Sequence, residues 1–135
     1  MPDSFFDTNV LLYIASGDHL KADRAEKLID NGGAISVQVL NEVTNVARRK
    51  MRLAWPEAHA FLSLLRGLLT VHPLTVETHE SGLALAARHD LSTWDAMIAA
   101  SAIHAGCDTL WSEDLQHGMR LDGGLRILNP FRAGA

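Results

Sequence analysis

The sequence predicts an α/β domain built on a five-stranded parallel sheet with helices on both faces. Two observations carry this reading. Five short apolar runs, each the length of a strand, punctuate the chain, and longer amphipathic stretches with helical spacing separate them. Strands alternating with helices pair in parallel and bury both faces of their sheet. Length and composition agree: 135 residues, 47% hydrophobic and 21% charged, with no repeat, low-complexity tract or Pro/Gly-rich linker, fit one domain over 1–135.

The elements follow in order. Ser4-Phe5-Phe6 is the first strand, and a helix runs on through Val10-Leu11-Leu12-Tyr13. Residues 20–31 form a second helix, with Ala22, Ala25, Leu28 and Ile29 at helical spacing and Asn31-Gly32-Gly33 as its stop. Ala34-Ile35-Ser36-Val37 is the second strand. Val39, Leu40, Val43, Val46 and Ala47 then form the apolar stripe of a helix ending in Arg48-Arg49-Lys50. Pro56 opens a helix to about Leu69, suitably at its first turn. Thr70-Val71-His72 is a brief third strand. Helices over 75–89 and 93–105 follow, the latter closed by Gly106. Thr109-Leu110-Trp111 and Leu125-Arg126-Ile127-Leu128 are the last strands, and Asn129-Pro130 ends the sheet.

Composition excludes several classes. No apolar run reaches the ~20 residues of a membrane span, and MPDSFFDTN lacks a basic, apolar secretory pattern. Cys107 is the only cysteine, so no internal disulfide forms; a cytoplasmic setting and a core role for the thiol are expected. A net charge of −4 argues against a protein that grips nucleic acid by bulk positive charge. It is compatible with one that does so through cations, since two divalent ions would bring −4 to 0.

In parallel α/β folds the site lies beyond the carboxyl ends of the strands. Asp7 directly follows the first strand, Glu42 sits in the early turns of the helix leaving the second, and Asp114 comes just after the fourth. Asp95 opens the helix that runs antiparallel into the fourth strand, so it begins at the same edge. Four acids distant in sequence are thus expected at one place. Clustered carboxylates repel one another unless a cation sits among them. Oxygen donors without a cysteine or histidine partner suit Mg²⁺ or Mn²⁺, and such a site suits phosphodiester hydrolysis. Each acid also has a structural reading. Asp7 could cap a helix, Ser92-Thr93-Trp94-Asp95 has the form of a capping box, Glu42 flanks an apolar stripe, and Glu113-Asp114 is an ordinary polar turn.

The run from Phe6 to Tyr13 (FDTNVLLY), the pair Asn41-Glu42, the run from Trp94 to Ala100 (WDAMIAA), the run from Leu110 to Gly118 (LWSEDLQHG) and the ending Asn129-Pro130-Phe131 resemble, in order, the PIN-domain nucleases, and specifically the VapC-type toxins. The resemblance spans nearly the whole chain. It implies a PIN-like domain with a five-stranded parallel sheet and Mg²⁺- or Mn²⁺-dependent endoribonuclease activity on an RNA substrate. It also implies a homodimer neutralised by a small DNA-binding antitoxin. Carried over position by position, it makes Asp7, Glu42, Asp95 and Asp114 the catalytic metal ligands, with Asn9 and Ser112 as supporting polar groups. The family often has threonine where Ser112 stands, and the hydroxyl is kept. Glu113 competes for the fourth ligand position, but the register of the motif favours Asp114.

Other features divide between site and scaffold. Arg48, Arg49 and Lys50 could contact RNA phosphates or simply suit a helix C-terminus. Trp94 could stack on a base or belong to the core or a dimer interface. His117 could touch substrate, whereas the seven scattered histidines have no zinc-site spacing. The faces of the helices at 56–69 and 75–89 could supply a dimer surface. The rival readings are a non-catalytic PIN module that acts through an antitoxin, and a PIN nuclease of RNA maturation or DNA cleavage.

Overall fold

Strand β1 (Ser4–Phe6) runs between β2 (Ala34–Ser36) and β4 (Thr109–Trp111) in the computed structural model, which describes residues 3–132. Strand β3 (Thr70–His72) adds to β2 and β5 (Arg126–Leu128) adds to β4, giving one sheet in the order β3-β2-β1-β4-β5 with every neighbouring pair parallel. Successive strand residues point to opposite faces. Phe5 and Phe6 are both fully buried, as are Ala34, Ile35 and Ser36, so helices cover the sheet on both sides. From β1 the chain order runs to β2 and β3 on one side and to β4 and β5 on the other. The junction of β1 and β4 is therefore the point where the winding reverses, which is where open parallel sheets form a crevice.

The helices are α1 (Thr8–Leu12), α2 (His19–Asp30), α3 (Val37–Arg49), α4 (Trp55–Leu68), α5 (Val76–His89) and α6 (Thr93–His104). Their starts are written by polar caps: Asp7, Asp18, Ser36, Thr75 and Ser92 each accept a backbone N–H of the helix that follows. Helix α6 is buried through every residue from Ala96 to Ala102, because its alanines let the sheet and α5 approach closely. It is the most enclosed helix, and it carries Asp95 in its first turn. Among the described residues no helix is long and apolar enough to cross a membrane.

The structure differs from the sequence expectations at element ends. Val37 belongs to α3, not to β2, because the Ser36 hydroxyl caps the helix and outweighs the β-preference of valine. The first helix gives way after Leu12 to a 3-10 turn over Tyr13–Ala15. Leu125 is buried but precedes β5, closing a second 3-10 turn over Asp122–Gly124.

Gly33 ties the two halves of the sheet together. Its φ is +150°, and a Cβ there would lie 2.5 Å from Cε2 of the buried Phe6 ring and 3.0 Å from the Ser4 carbonyl oxygen. Gly33→Ala is expected to cost about 2 kcal/mol or more in urea denaturation, by clash and backbone strain together. A loss below about 0.5 kcal/mol would show that β1 and β2 do not meet this closely.

Candidate active site

The short turns leaving β1 and β4 set two side chains face to face. Asp7 caps α1 through a hydrogen bond from its neighbour, Thr8 N–H to Oδ1 at 2.7 Å. Its other oxygen accepts the Ser112 hydroxyl at 2.8 Å and the Asn9 amide at 3.1 Å. The capping role and the site role thus coexist in one residue. Ser112 also accepts the Leu115 N–H at 3.2 Å, and the Asn9 carbonyl oxygen accepts the Glu113 N–H at 3.0 Å. Asn9 and Ser112 therefore lock the loop after β4 onto the end of β1.

The remaining acids arrive on two helices and that loop. Glu42, one turn into α3 beyond the capped start, accepts the Thr8 hydroxyl at 2.8 Å and the Gln38 amide at 2.9 Å. Gln38 also donates to the Trp94 carbonyl at 3.0 Å, which ties α3 to the start of α6. Asp95 N–H is capped by the Ser92 hydroxyl at 3.1 Å, leaving the Asp95 side chain partly buried at the site. Asp7, Glu42, Asp95 and Asp114 all line one cleft of about 350 Å³, together with Asn9, Asn45 and Lys50. Thr8 and Gln38 are the partners that sequence reasoning did not single out. The only signals were the place of Thr8 inside the first motif and of Gln38 one turn before Glu42.

The cleft is electrostatically strained. Burial is the main force that raises the Asp7 carboxyl from the ordinary 3.8 to about 6; hydrogen bonds from Ser112 and Thr8 oppose it, and the Asp95 and Glu42 charges add to it. Asp95 is also raised, first by burial and then by Asp114 and Glu42, against the Ser92 hydrogen bond. Glu113 is treated differently. Lys21 Nζ lies 2.5 Å from its Oε2 and the Tyr13 hydroxyl donates to its Oε1 at 2.6 Å. These partners hold Glu113 below its ordinary value although partial burial pushes the other way. A neutralised Glu113 sits beside α2 while Asp114 faces the cleft.

A family model described as the PIN domain matches residues 4–118. This chain belongs to the PIN domain family. Several solved structures share the fold across most of its length. A toxin–antitoxin complex from Klebsiella pneumoniae has a TM-score of 0.73 at 21% identity, covering 95% of this chain and 98% of the other. The Mycobacterium tuberculosis VapC20, a sarcin-ricin loop cleaving toxin, has a TM-score of 0.67 at 22% identity, covering 82% and 91%. VapBC2 from Rickettsia felis, bound to a promoter DNA fragment, has a TM-score of 0.68 at 21% identity, covering 93% and 97%. No curated protein sequence matches the chain.

Around this PIN cleft the other sequence candidates separate. Arg48 is held in the scaffold: it donates to the Leu53 carbonyl at 2.7 Å and its guanidinium lies 4.2 Å from the Trp55 ring centre. Arg49 and Lys50 are exposed, and Lys50 reaches the acid cleft. His117 accepts the Asn129 N–H at 2.9 Å and so fixes the end of β5. Cys107 is buried, and burial raises its thiol to about 11, as a core cysteine requires. Trp94 is not a core residue: it is 68% exposed, because it stands at the open first turn of α6. The donors at the cleft are hard oxygens and its most buried member is an acid among acids, which fits a hard divalent cation. Among the described residues no three His, Cys, Asp or Glu side chains already stand close enough to hold an ion together, as mutual repulsion favours.

The raised Asp7 carboxyl makes a prediction about metal-free protein. The folded state binds a proton that the unfolded state releases between pH 3.8 and about 6, so the Asp7 contribution to stability falls as pH rises through that window. Asp7→Asn removes this dependence. Its stability relative to the parent, measured by urea denaturation in chelator, is expected to rise from pH 4 to pH 7 by at most about 3 kcal/mol. A difference that stays flat with pH would refute the burial of a strained carboxylate.

Proposed function

We propose that this PIN domain is a metal-dependent endoribonuclease of the VapC toxin type. The carrying observation is the meeting of Asp7, Glu42, Asp95 and Asp114, from four separate segments, in one cleft where burial and like charge raise Asp7 and Asp95. Folding gains nothing from that arrangement, whereas hydrolysis of an anionic phosphodiester needs concentrated positive charge held at one point.

These four carboxylates would hold Mg²⁺ or Mn²⁺, which when bound would offset the charge of the phosphodiester and make a water more acidic. The chain's own residues supply the positioning. Ser112, Asn9 and Thr8 fix both oxygens of Asp7, and Thr8 and Gln38 fix both oxygens of Glu42. Lys50 places a cation at the cleft, where it can hold a phosphate of the substrate, and Arg49 extends the positive edge. Lys21 removes the Glu113 charge from competition with Asp114.

The same reading supplies partners and setting. A small DNA-binding antitoxin would neutralise the enzyme in the cytoplasm; support comes from the toxin–antitoxin complexes among the similar folds, one of them on promoter DNA. A homodimer would cover the exposed Leu64 and Leu68 of α4 and Val76 and Leu83 of α5, each more than 40% exposed.

Purified protein with Mn²⁺ or Mg²⁺ is expected to cut RNA and leave DNA of the same sequence intact. Asp7→Asn and Asp95→Asn should each lower the rate by about 100-fold or more and abolish growth arrest on expression. Full toxicity in the double variant would refute the reading, and retained antitoxin binding without any divalent-ion uptake would favour the non-catalytic module. Ser112→Ala removes a hydrogen bond from Asp7 and is expected to weaken Mn²⁺ binding by about tenfold in calorimetry; unchanged affinity would separate Ser112 from the metal.

A further inference from the structure

Beside the acid cleft lies a second cavity, of about 590 Å³, lined by Gln38, Asn41, Glu42, Asn45, Leu74 and Trp94. The two share Glu42 and Asn45 as a common wall. We infer that this cavity receives an unpaired nucleobase of the RNA, stacked on the Trp94 indole and read by the amides of Asn41 and Asn45. The inference rests on the nuclease reading above and names where its substrate specificity lies.

The chemistry of the walls selects the occupant. Of the three tryptophans, two are engaged within the fold: Trp55 lies under Arg48, and Trp111 donates to the Ser4 hydroxyl at 3.1 Å. Trp94 has no ring, cation or hydrogen-bond partner for its indole among the described residues, and it is 68% exposed. An exposed indole face takes a base of any sequence by stacking. Asn41 and Asn45 stand one turn apart on the exposed side of α3, and neither side chain bonds another described residue. Each amide offers both donors and an acceptor, the pattern that a base edge presents in return. No lysine or arginine lines the cavity, so a phosphate has no cationic partner there. The cations Arg49 and Lys50 lie further along α3, beyond Asn45. A strand crossing the acids would therefore have a base on the Trp94 side and phosphates on the Lys50 side. Gln38 keeps the platform in place, since its amide joins Glu42 and the Trp94 carbonyl. A duplex has its bases stacked and paired and cannot offer one to this cavity.

The test measures binding apart from cleavage. In the full-length Asp7→Asn/Asp95→Asn protein, a fluorescein-labelled, unstructured oligoribonucleotide is titrated by anisotropy, alone and annealed to its complement. Trp94→Ala is expected to weaken single-strand binding roughly tenfold and leave duplex binding unchanged, with Trp94→Phe restoring most of the loss. Asn45→Ala should weaken the single strand as well, which keeps the test sound if one variant folds poorly. Equal affinity of parent and Trp94→Ala for the single strand, or no single-strand binding by the parent, would overturn the subsite. So would a parallel loss for single strand and duplex, or a shift from dimer to monomer in sedimentation, since either makes Trp94 a general contact or a subunit interface. If wild-type protein never cuts RNA but the selective loss is seen, the nuclease reading fails and the base subsite stands.

Discussion

A carboxylate buried at the end of the central strand is the constraint around which this molecule is arranged. Asp7 ends β1 at the point where the winding of the sheet reverses, and only 4% of its surface reaches solvent. A lone charge there would be costly, and neutralisation by protonation is the ordinary escape. Asp7 accepts three hydrogen bonds, of which those from Ser112 and Thr8 oppose that escape without removing it. Two of the three come from Asn9 and Ser112, whose side-chain oxygens also accept backbone N–H groups of the loop after β4, so the groups that satisfy Asp7 also position Asp114. The charge and the loop geometry are one problem with one solution.

The treatment of Glu113 shows how charge is sorted at this edge. Two adjacent acids leave β4, and the fold gives them opposite surroundings. Glu113 meets Lys21 and Tyr13, with the Lys21 ammonium also 4.6 Å from the Tyr13 ring centre and 5.1 Å from that of Phe131. Asp114 meets the other carboxylates instead. An ion pair this exposed adds little stability by itself. Its consequence is directional, because it fixes which of two neighbouring acids turns to the cleft. The 3-10 turn and the start of α2, which carry no acid of the cleft, thereby help set the site.

The strand pattern, the parallel sheet and the convergence of the four acids were legible because they follow from periodicity and from the rule for strand exits, both local in sequence. Val37 was misplaced since a valine after Ala34-Ile35-Ser36 extends a strand pattern, and only the contact between Ser36 and Val39 N–H marks the helix start. Asp7 was legible as either cap or site residue; both are observed structurally, and local sequence could not have separated them. The partners of Glu42 were not legible. Thr8 lies in a different segment, 34 positions away, and Gln38 occupies a buried position on the helix stripe that usually takes an apolar residue. Trp94 was equally opaque: a tryptophan in the first turn of a buried alanine-rich helix can serve a base, the core or a subunit interface until the direction of that turn is known.

That direction also explains how an unfavourable cleft survives in so small a domain. Stability is concentrated elsewhere, in α6 with its unbroken buried run and in strand residues enclosed on both faces. Asp7 and Asp95 project from the ends of these rigid pieces, and Glu42 and Asp114 meet them from α3 and from the loop that Asn9 and Ser112 hold. Repulsion among the carboxylates is eased by side-chain separation, and beyond that by protonation or by a cation. Protonation requires acidity near pH 6 for Asp7, below the conditions of most cells. At neutral pH a bound cation would ease it further, so the rigidity that holds the fold together also keeps four carboxylates at one cleft.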